Sequence, residues 1–489
     1  LVKSISAICK NQLNNYFAIM SYKLNDPKIT RAWTMYDWAN SVFSLSITAT
    51  LFPVYFNIVS KTASINAGTY DAINNVSYIN VFGFNMVNSA LYTFCVSFSF
   101  LLVAFINPIL SGIADAKQNK KQFMKFFCYL GSFSCMLLYF FNPDNLWFGI
   151  FCFVMGLFGF GGSIVFYNAF LPEIATEDQY DKLSARGFSL GYVGSVVLLL
   201  LNLALIKNVG LFFPVAEKVK ELMAADHSLT AIAALENSQK YYSGIAIKWA
   251  FVTVGLWWAG FAQITFRRLP EKSRAEPKPG GLISNGFKEI KKVYRELNLP
   301  DNAVVKRYLI GYFFSAMGVQ TVMYVASMFG EKELGMKADK LIMTVLIIQL
   351  IAVVGAWGFA KISAIVGNIY ALIFMNVVWI GITTAAFYVN TENQFLILAA
   401  VVGSVMGGIQ SMSRSTFAKL IPDGTKDTAS YFSFYDFCEK MATVLGTLSF
   451  ALINNYAQNM RTSVLALIIF FILALFFIMR IKNFKEVHP

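Results

Sequence analysis

Arg31-Ala32-Trp33-Thr34-Met35-Tyr36-Asp37-Trp38-Ala39-Asn40-Ser41 opens a stretch that continues from Trp38 to Asn57 without a charged side chain. About twenty such residues, at ~1.5 Å each, cross a hydrocarbon layer of ~30 Å, so the stretch reads as a membrane-spanning helix. It is not uniformly apolar. Tyr36, Asn40, Ser44 and Thr48 recur at every fourth position, with Asp37 and Ser41 beside them, which on a regular helix places all six on or near one face. In lipid such a stripe must meet protein or water. Either it hydrogen-bonds neighbouring helices together, as Ser and Thr do, or it lines a cavity at membrane depth. Charged and amide groups are the costly ones to hold there, so Asp37 and Asn40 favour the cavity, and a cavity implies passage of a solute.

The rest of the chain extends this reading. Of 489 residues 57% are hydrophobic, 47 are Phe, and the mean hydropathy is +0.56, too apolar for a soluble fold and diagnostic of a polytopic membrane protein. The formal net charge of +13 sits mostly in short loops between apolar runs, where it sets topology, and does not indicate nucleic-acid binding. Six scattered cysteines without C-x-x-C spacing argue against disulfides and zinc, and the two histidines, His227 and His488, lie outside the apolar runs. No cofactor is expected, and an enzyme is the least favoured reading.

Beyond the polar stretch 60–88, apolar runs fall at 91–113, 123–141, 146–170, 187–206 and 245–266, closing a first set of six. Residues 267–307 form a basic linker broken by Pro270, Pro277, Pro279, Gly280 and Gly281. Within it Phe287, Ile290, Tyr294 and Leu297 share one helical face and Lys288, Lys291, Lys292 and Arg295 lie mostly elsewhere, the pattern of a helix resting on anionic lipid. Six more runs follow at 308–329, 341–360, 369–389, 395–420, 429–453 and 463–480. The predicted architecture is all-α, with twelve transmembrane helices: a segment 1–30, a bundle 31–266, the linker 267–307, a second bundle 308–481 and a tail 482–489. Most Lys and Arg lie on the side of the linker, which the positive-inside rule makes cytoplasmic together with both termini. Residues 1–19 read as an optional extension ahead of Met20, no cleaved signal is evident, and 215–235, in the longest opposite-side loop, looks helical.

The halves echo each other. Arg31 and Tyr36 match Arg307 and Tyr312, and at the same offset Ser44 matches Gln320 and Thr48 matches Tyr324. Gly161-Gly162, Leu171-Pro172-Glu173 and Phe188-Ser189 are answered by Gly407-Gly408, Ile421-Pro422-Asp423 and Phe432-Ser433. Six plus six parallel repeats with a site at their interface is a transporter plan. The most telling charges are in the tenth and eleventh runs. Arg414 lies about 12 Å from the end of its helix and Asp436 at similar depth on the next, so Arg414 with Asp436 or Glu439 is an expected ion pair. Lys440 pairs with Asp436 along one helix. The cluster is either a structural clamp or gate, or a place where Asp436 or Glu439 exchanges a proton.

Two groups of motifs carry a family resemblance. Asn107-Pro108-Ile109-Leu110-Ser111-Gly112-Ile113-Ala114-Asp115-Ala116-Lys117-Gln118-Asn119-Lys120-Lys121 resembles the G-x-L-A-D-R-x-G-R-R signature of the major facilitator superfamily, with Ser111, Ala116 and Gln118 departing from it. An acid there locks onto a neighbouring helix N-terminus, whose N–H groups are unpaired. The matching site in the second half, Gly358-Phe359-Ala360-Lys361, has Lys in place of the acid, so a lock there is missing or different. Tyr36-Asp37-Trp38-Ala39-Asn40-Ser41, Gly191-Tyr192-Val193-Gly194, Gly408-Ile409-Gln410-Ser411-Met412-Ser413-Arg414-Ser415, Ile421-Pro422 and Phe434-Tyr435-Asp436 with Glu439-Lys440 resemble the vacuole-effluxer branch. The likeness covers roughly 31–481 and implies the twelve-helix rocker fold and solute efflux. The expected function is a secondary transporter of a small polar solute, amino acids first, proton-coupled, working as a monomer in a prokaryotic plasma membrane. Tyr36, Asn40, Ser41, Ser44, Thr48, Gln320, Tyr324 and Gln410 are the expected solute contacts. Asp37, Asp436 and Glu439 are expected to couple, and Asp115, Arg414 and Lys440 to gate. The alternative is a facilitator-fold receptor or assembly subunit that no longer transports.

Overall fold

Backbone that crosses lipid must satisfy its own N–H and C=O groups, which a helix does within one segment. The computed structural model describes residues 23–271, 282–422, 425–457 and 459–481, and among these twelve long helices form. They are α1 (Pro27–Asn66), α2 (Asn88–Lys117), α3 (Lys120–Leu137), α4 (Leu146–Asn168), α5 (Glu177–Lys207), α6 (Ala231–Arg268), α7 (Ala303–Leu334), α8 (Ala338–Val366), α9 (Asn368–Tyr388), α10 (Glu392–Leu420), α11 (Thr428–Ala457) and α12 (Met460–Ile478). Eleven are apolar and long enough to cross a bilayer on those grounds alone. The twelfth, α11, is 30 residues long and carries Asp436, Glu439 and Lys440.

In the first six, α1 packs on α5 and α6, α3 on α4 and α6, and α2 on α4; in the second six, α7 packs on α11 and α12, α8 on α10, and α9 on α10 and α12. The halves meet along α2 with α11 and along α5 with α8 and α10. Glycine positions confirm the repeat. A Cβ on Gly161 of α4 would press on Val103 of α2 and one on Gly162 on Phe127 of α3; in the second half Gly407 of α10 faces the Ala352 carbonyl of α8, and Gly408 meets Phe359 of α8 and Met375 of α9. Likewise Trp33 of α1 donates its indole N–H to the Tyr167 carbonyl of α4 at 2.9 Å, and Tyr308 of α7 donates to the Ser413 carbonyl of α10 at 2.8 Å.

Helix α1 departs from regularity at its centre. Asp26 caps it by accepting from the Lys28 N–H, Pro27 fills the first position, and Phe43–Leu51 is then π-helical. Rings of i→i+5 spacing rotate later residues away from the face set by earlier ones. The fourfold stripe expected from the sequence is therefore broken. Tyr36 is buried among Tyr167 and Phe266, Asn40 is buried, Ser44 is exposed, and Thr48 is buried with its hydroxyl unpartnered. The widened backbone finds side-chain donors, Tyr92 Oη of α2 donating to the Thr48 carbonyl and Thr50 Oγ1, within the same stretch, to the Leu45 carbonyl, both at 2.8 Å.

Three further differences from the sequence reading concern the connections. The polar stretch after α1 contains a three-stranded antiparallel sheet, β1 (Tyr70–Asp71), β2 (Val76–Val81) and β3 (Phe84–Val87), a small β element in an otherwise helical fold. The helix expected at 215–235 is two, Val215–Ala225 and the start of α6. The linker helix, Leu282–Leu297, buries Gly286, Val293 and Leu297 against protein and leaves Phe287 and Tyr294 outward, so its expected apolar face is divided. Residues 1–19, the breaks at Pro277, Pro279, Gly280 and Gly281, and the tail 482–489 lie outside the described residues.

Candidate functional site between the halves

A buried ion pair joins the two halves through partners the sequence reading did not choose. Arg414 of α10 does not meet Asp436 or Glu439 but reaches Asp37 of α1, both Nη atoms standing 3.2 Å from Oδ2. Its Nε donates to Ser184 Oγ and its Nη2 to the Ser184 carbonyl, both at 2.9 Å, and Nη1 lies 3.4 Å from Asn168 Oδ1. Tyr167 donates to Asp37 Oδ2 at 2.7 Å, and the guanidinium lies 4.9 Å from the Trp33 ring and 4.2 Å from the Phe188 ring. A planar fork that satisfies several acceptors while stacking on aromatics is the form in which a buried cation is tolerable. Room for it comes from a glycine: a Cβ at Gly187 would sit 2.2 Å from Asp37 Oδ2 and 2.9 Å from Arg414 Nη2. Gly191 and Gly194 play the same part beneath Ser41 and Trp38, which gives the Gly191-Tyr192-Val193-Gly194 motif its physical reason.

A second cluster lies on α11. Lys440 stands 3.5 Å from Asp436 and 3.2 Å from Glu439, as its i−4 spacing to Asp436 suggested. Asn107 of α2 donates to Asp436 Oδ2 at 3.2 Å, bringing the first half into the cluster. Glu439 accepts from Tyr312 Oη at 3.0 Å and from Gln320 Nε2 at 3.3 Å, and Tyr312 stacks on Tyr435 at 4.2 Å. The side chain of Glu439 is 25% exposed whereas that of Asp436 is 3% exposed, so Glu439 is the accessible carboxylate. Counted formally, Asp37 with Arg414 is neutral, and Asp436, Glu439 and Lys440 leave one negative charge. Such a residual charge is costly at depth unless a proton or a cation joins it.

The linker side of this seam is closed by polar contacts between the halves. Asp115 accepts from the backbone N–H of Ser430 at 2.7 Å and of Ala429 at 3.3 Å, so the acid does sit on the N-terminus of α11. Lys120 pairs with Glu173 and donates to Thr428 at 2.5 Å. In the second half the acid missing at Lys361 is replaced from across the seam: Asp181 of α5 accepts from Asn368 at 2.8 Å, Lys419 at 2.7 Å and Ser363 at 3.3 Å. The lock there is different, not missing.

Of the expected solute contacts, the structure gathers only some. Gln410 accepts from Tyr192 Oη at 2.6 Å across the seam, Gln320 touches Glu439, and Tyr324 is 42% exposed with its ring 6.4 Å from that of Phe100. Ser41 is half-buried beside Asn40, Ser44 is exposed, and Tyr36 and Thr48 are turned into packing. Missed from the sequence were Tyr167, Asn168, Ser184 and Gly187 around Arg414, and Asn107 beside Asp436. Asn107 carried a signal, an amide directly before Pro108 inside an apolar run. Ser184 and Asn168 carried none, because which polar residue of a helix meets a distant cation is set by tertiary packing.

Residues 25–486 match the family described as "Vacuole effluxer Atg22 like". An uncharacterized MFS-type transporter, YxiO, of Bacillus subtilis (strain 168) is 27% identical over 448 residues, covering 92% of this chain and 93% of its own. Autophagy-related protein 22 of Cryptococcus neoformans var. neoformans is 24% identical over 537 residues, covering 91% and 92%. Among solved structures, the human organic anion transporter MFSD10 superposes with a TM-score of 0.65 at 11% identity, covering 93% of this chain and all of its own. The Escherichia coli fucose:proton symporter superposes with a TM-score of 0.61 at 13% identity, covering 94% and 98%. The fold is that of the major facilitator superfamily, and this multi-pass membrane transporter belongs to its vacuole-effluxer, Atg22-like family.

Proposed function

We propose that the chain moves a small polar solute bearing an ammonium group, amino acids first, outward by alternating access of the two halves, with a proton exchanging at Glu439 or Asp436. The observation that carries this is the residual negative charge of Asp436, Glu439 and Lys440, set where α2 and α11 meet, with Glu439 its more exposed carboxylate. A proton on a carboxylate neutralises the cluster in one state; a solute ammonium does so in the other, so the two compete and are thereby coupled. Gln320, Tyr324 and Gln410 supply donors and acceptors beside it, and Asn40, Ser41 and Ser44 remain as contacts formed as the halves rock. Asp37 is assigned to the clamp with Arg414 more than to coupling, because its carboxylate is already fully engaged; Asp115 and Lys440 keep their gating roles. The description of the family as vacuole effluxers supports export, and the basic linker supports a cytoplasmic linker side and termini. A monomer in a prokaryotic plasma membrane completes the reading. Counterflow of labelled amino acids into proteoliposomes tests it: uptake of one class, altered by an imposed pH gradient and made indifferent to it by Glu439→Gln, is expected. A receptor that no longer transports would give no counterflow of any solute, and the replacement of the lost second lock by Asp181 removes the main feature that favoured it.

A further inference from the structure

The linker helix is not a free tether. A Cβ at Gly112 of α2 would lie 2.3 Å from the Gly286 carbonyl oxygen, and one at Gly286 would lie 3.0 Å from the Ile109 carbonyl oxygen, so the two backbones touch. On its other flank Lys292 pairs with Asp427, Tyr431 Oη donates to Glu296 Oε2 at 2.9 Å, and the Tyr294 and Phe434 rings lie 6.4 Å apart. The helix thus clasps α2 of the first half to α11 of the second. It does so at a definite level. Gly112 is five residues from the end of α2 and Phe434 six from the start of α11, about 7 to 9 Å inside the ends of helices about 45 Å long, a level that matches the headgroup layer of a bilayer they span. Beside it the Phe105 and Phe437 rings meet edge to face across the seam at 6.0 Å, and Phe105 is 60% exposed, an apolar side chain of the kind that faces lipid on a spanning helix.

We infer that the outward face of this helix is a docking surface for anionic lipid, and that lipid bound there holds the clasp across α2 and α11. The face presents Phe287 at 53% and Tyr294 at 59% exposure together with Lys288, Lys291 and Arg295, all exposed, and the last three share a shallow hollow with Lys292, Leu299 and Glu296, whose carboxylate accepts from Tyr431. Aromatic rings at headgroup depth flanked by cations are complementary to a negatively charged interface and to little else at that level. Lys292 is already engaged with Asp427, so the three other cations make the lipid contact. Because the helix bridges the halves, anionic lipid favours the state closed on the linker side.

Amide hydrogen exchange on the full chain in nanodiscs of phosphatidylglycerol or phosphatidylcholine tests this. Peptides covering 286–297 are expected to exchange about threefold or more slowly in phosphatidylglycerol, and raised salt should narrow the gap. The triple variant Lys288→Gln, Lys291→Gln, Arg295→Gln, whose exposed side chains contribute little to packing, should exchange alike in both lipids while α2 and α11 keep their protection in phosphatidylcholine. Equal exchange of the native chain in the two lipids overturns the inference. So does a lipid difference that survives in the triple variant.

Discussion

Replacing Asp37 by Asn removes the carboxylate charge that pairs with Arg414 among the described residues while keeping shape and the Tyr167 hydrogen bond. Arg414 would keep its bonds to Ser184 and Asn168 but lose its counter-ion, and breaking a buried pair from one side costs about 3–5 kcal/mol. Asp37 lies in the first half and Arg414 in the second, so the loss falls on the state in which the linker side is closed. At about 1.4 kcal/mol per tenfold, even 3 kcal/mol shifts that equilibrium by roughly 100-fold. Spin labels at Lys182→Cys on α5 and Lys361→Cys on α8, both exposed and on opposite sides of the seam, read the separation by double electron–electron resonance. One short distance is expected with Asp37 in place and a longer, dominant population with Asp37→Asn. Adding Arg414→Gln should restore much of the short population, because removing both charges also removes the unpaired one. An unchanged distance distribution in Asp37→Asn would refute the assignment of this pair as the clamp.

Other consequences are direct. Gly407→Ala sets a Cβ 2.0 Å from the Ala352 carbonyl oxygen and should destabilise by about 1–3 kcal/mol in thermal unfolding, whereas Gly381→Ala, with nothing within 4 Å, should be neutral or slightly stabilising. Asp115→Ala should lose more of the closed linker-side population than Asp115→Asn, which still accepts one N–H of α11; a charge at a helix N-terminus is worth about 0.3–1 kcal/mol, up to ~2 when buried. The bond to Asp427 raises the Lys292 ammonium above its ordinary value. A raised base stabilises fully below its unfolded value near ~10.4 and loses that contribution as pH rises through the folded one, so exchange protection of the linker helix should hold from pH 7 to 9 and fall only above that range.

Much of the fold was legible because lipid leaves few options. Uncharged runs of spanning length, the count of twelve, and the two-fold echo around Gly161-Gly162 and Gly407-Gly408 all follow from local sequence, and the structure gives the echo a cause in paired close approaches of α4 and α10 to their neighbours. The lock at Asp115 was readable from the resemblance of its stretch to the facilitator signature, because an acid at a helix end is stabilised by the unpaired N–H groups of a neighbouring helix N-terminus. The site was less legible. The stripe Tyr36, Asn40, Ser44, Thr48 presumed regular geometry, and the π-helical stretch Phe43–Leu51 turned Ser44 and Thr48 away from the face of Tyr36 and Asn40; no residue there announces the change of period. Arg414 was correctly singled out as a buried cation but paired with acids at similar depth on the next helix, Asp436 and Glu439. Its actual partner is 377 positions away on the other half, made reachable by Gly187, whose bare backbone leaves space that no charge pattern reveals. The replacement of a missing acid at Lys361 by Asp181 is likewise a matter of which helices face each other.

The central claim is that the negative cluster on α11 couples a proton to an ammonium-bearing solute. Counterflow of a labelled amino-acid panel in proteoliposomes, with and without a pH gradient, comparing the native chain with Glu439→Gln, tests it most directly. Accumulation of one amino-acid class that the gradient changes in the native chain and leaves untouched in Glu439→Gln is the predicted result. Accumulation whose response to the gradient is identical in both proteins would contradict it.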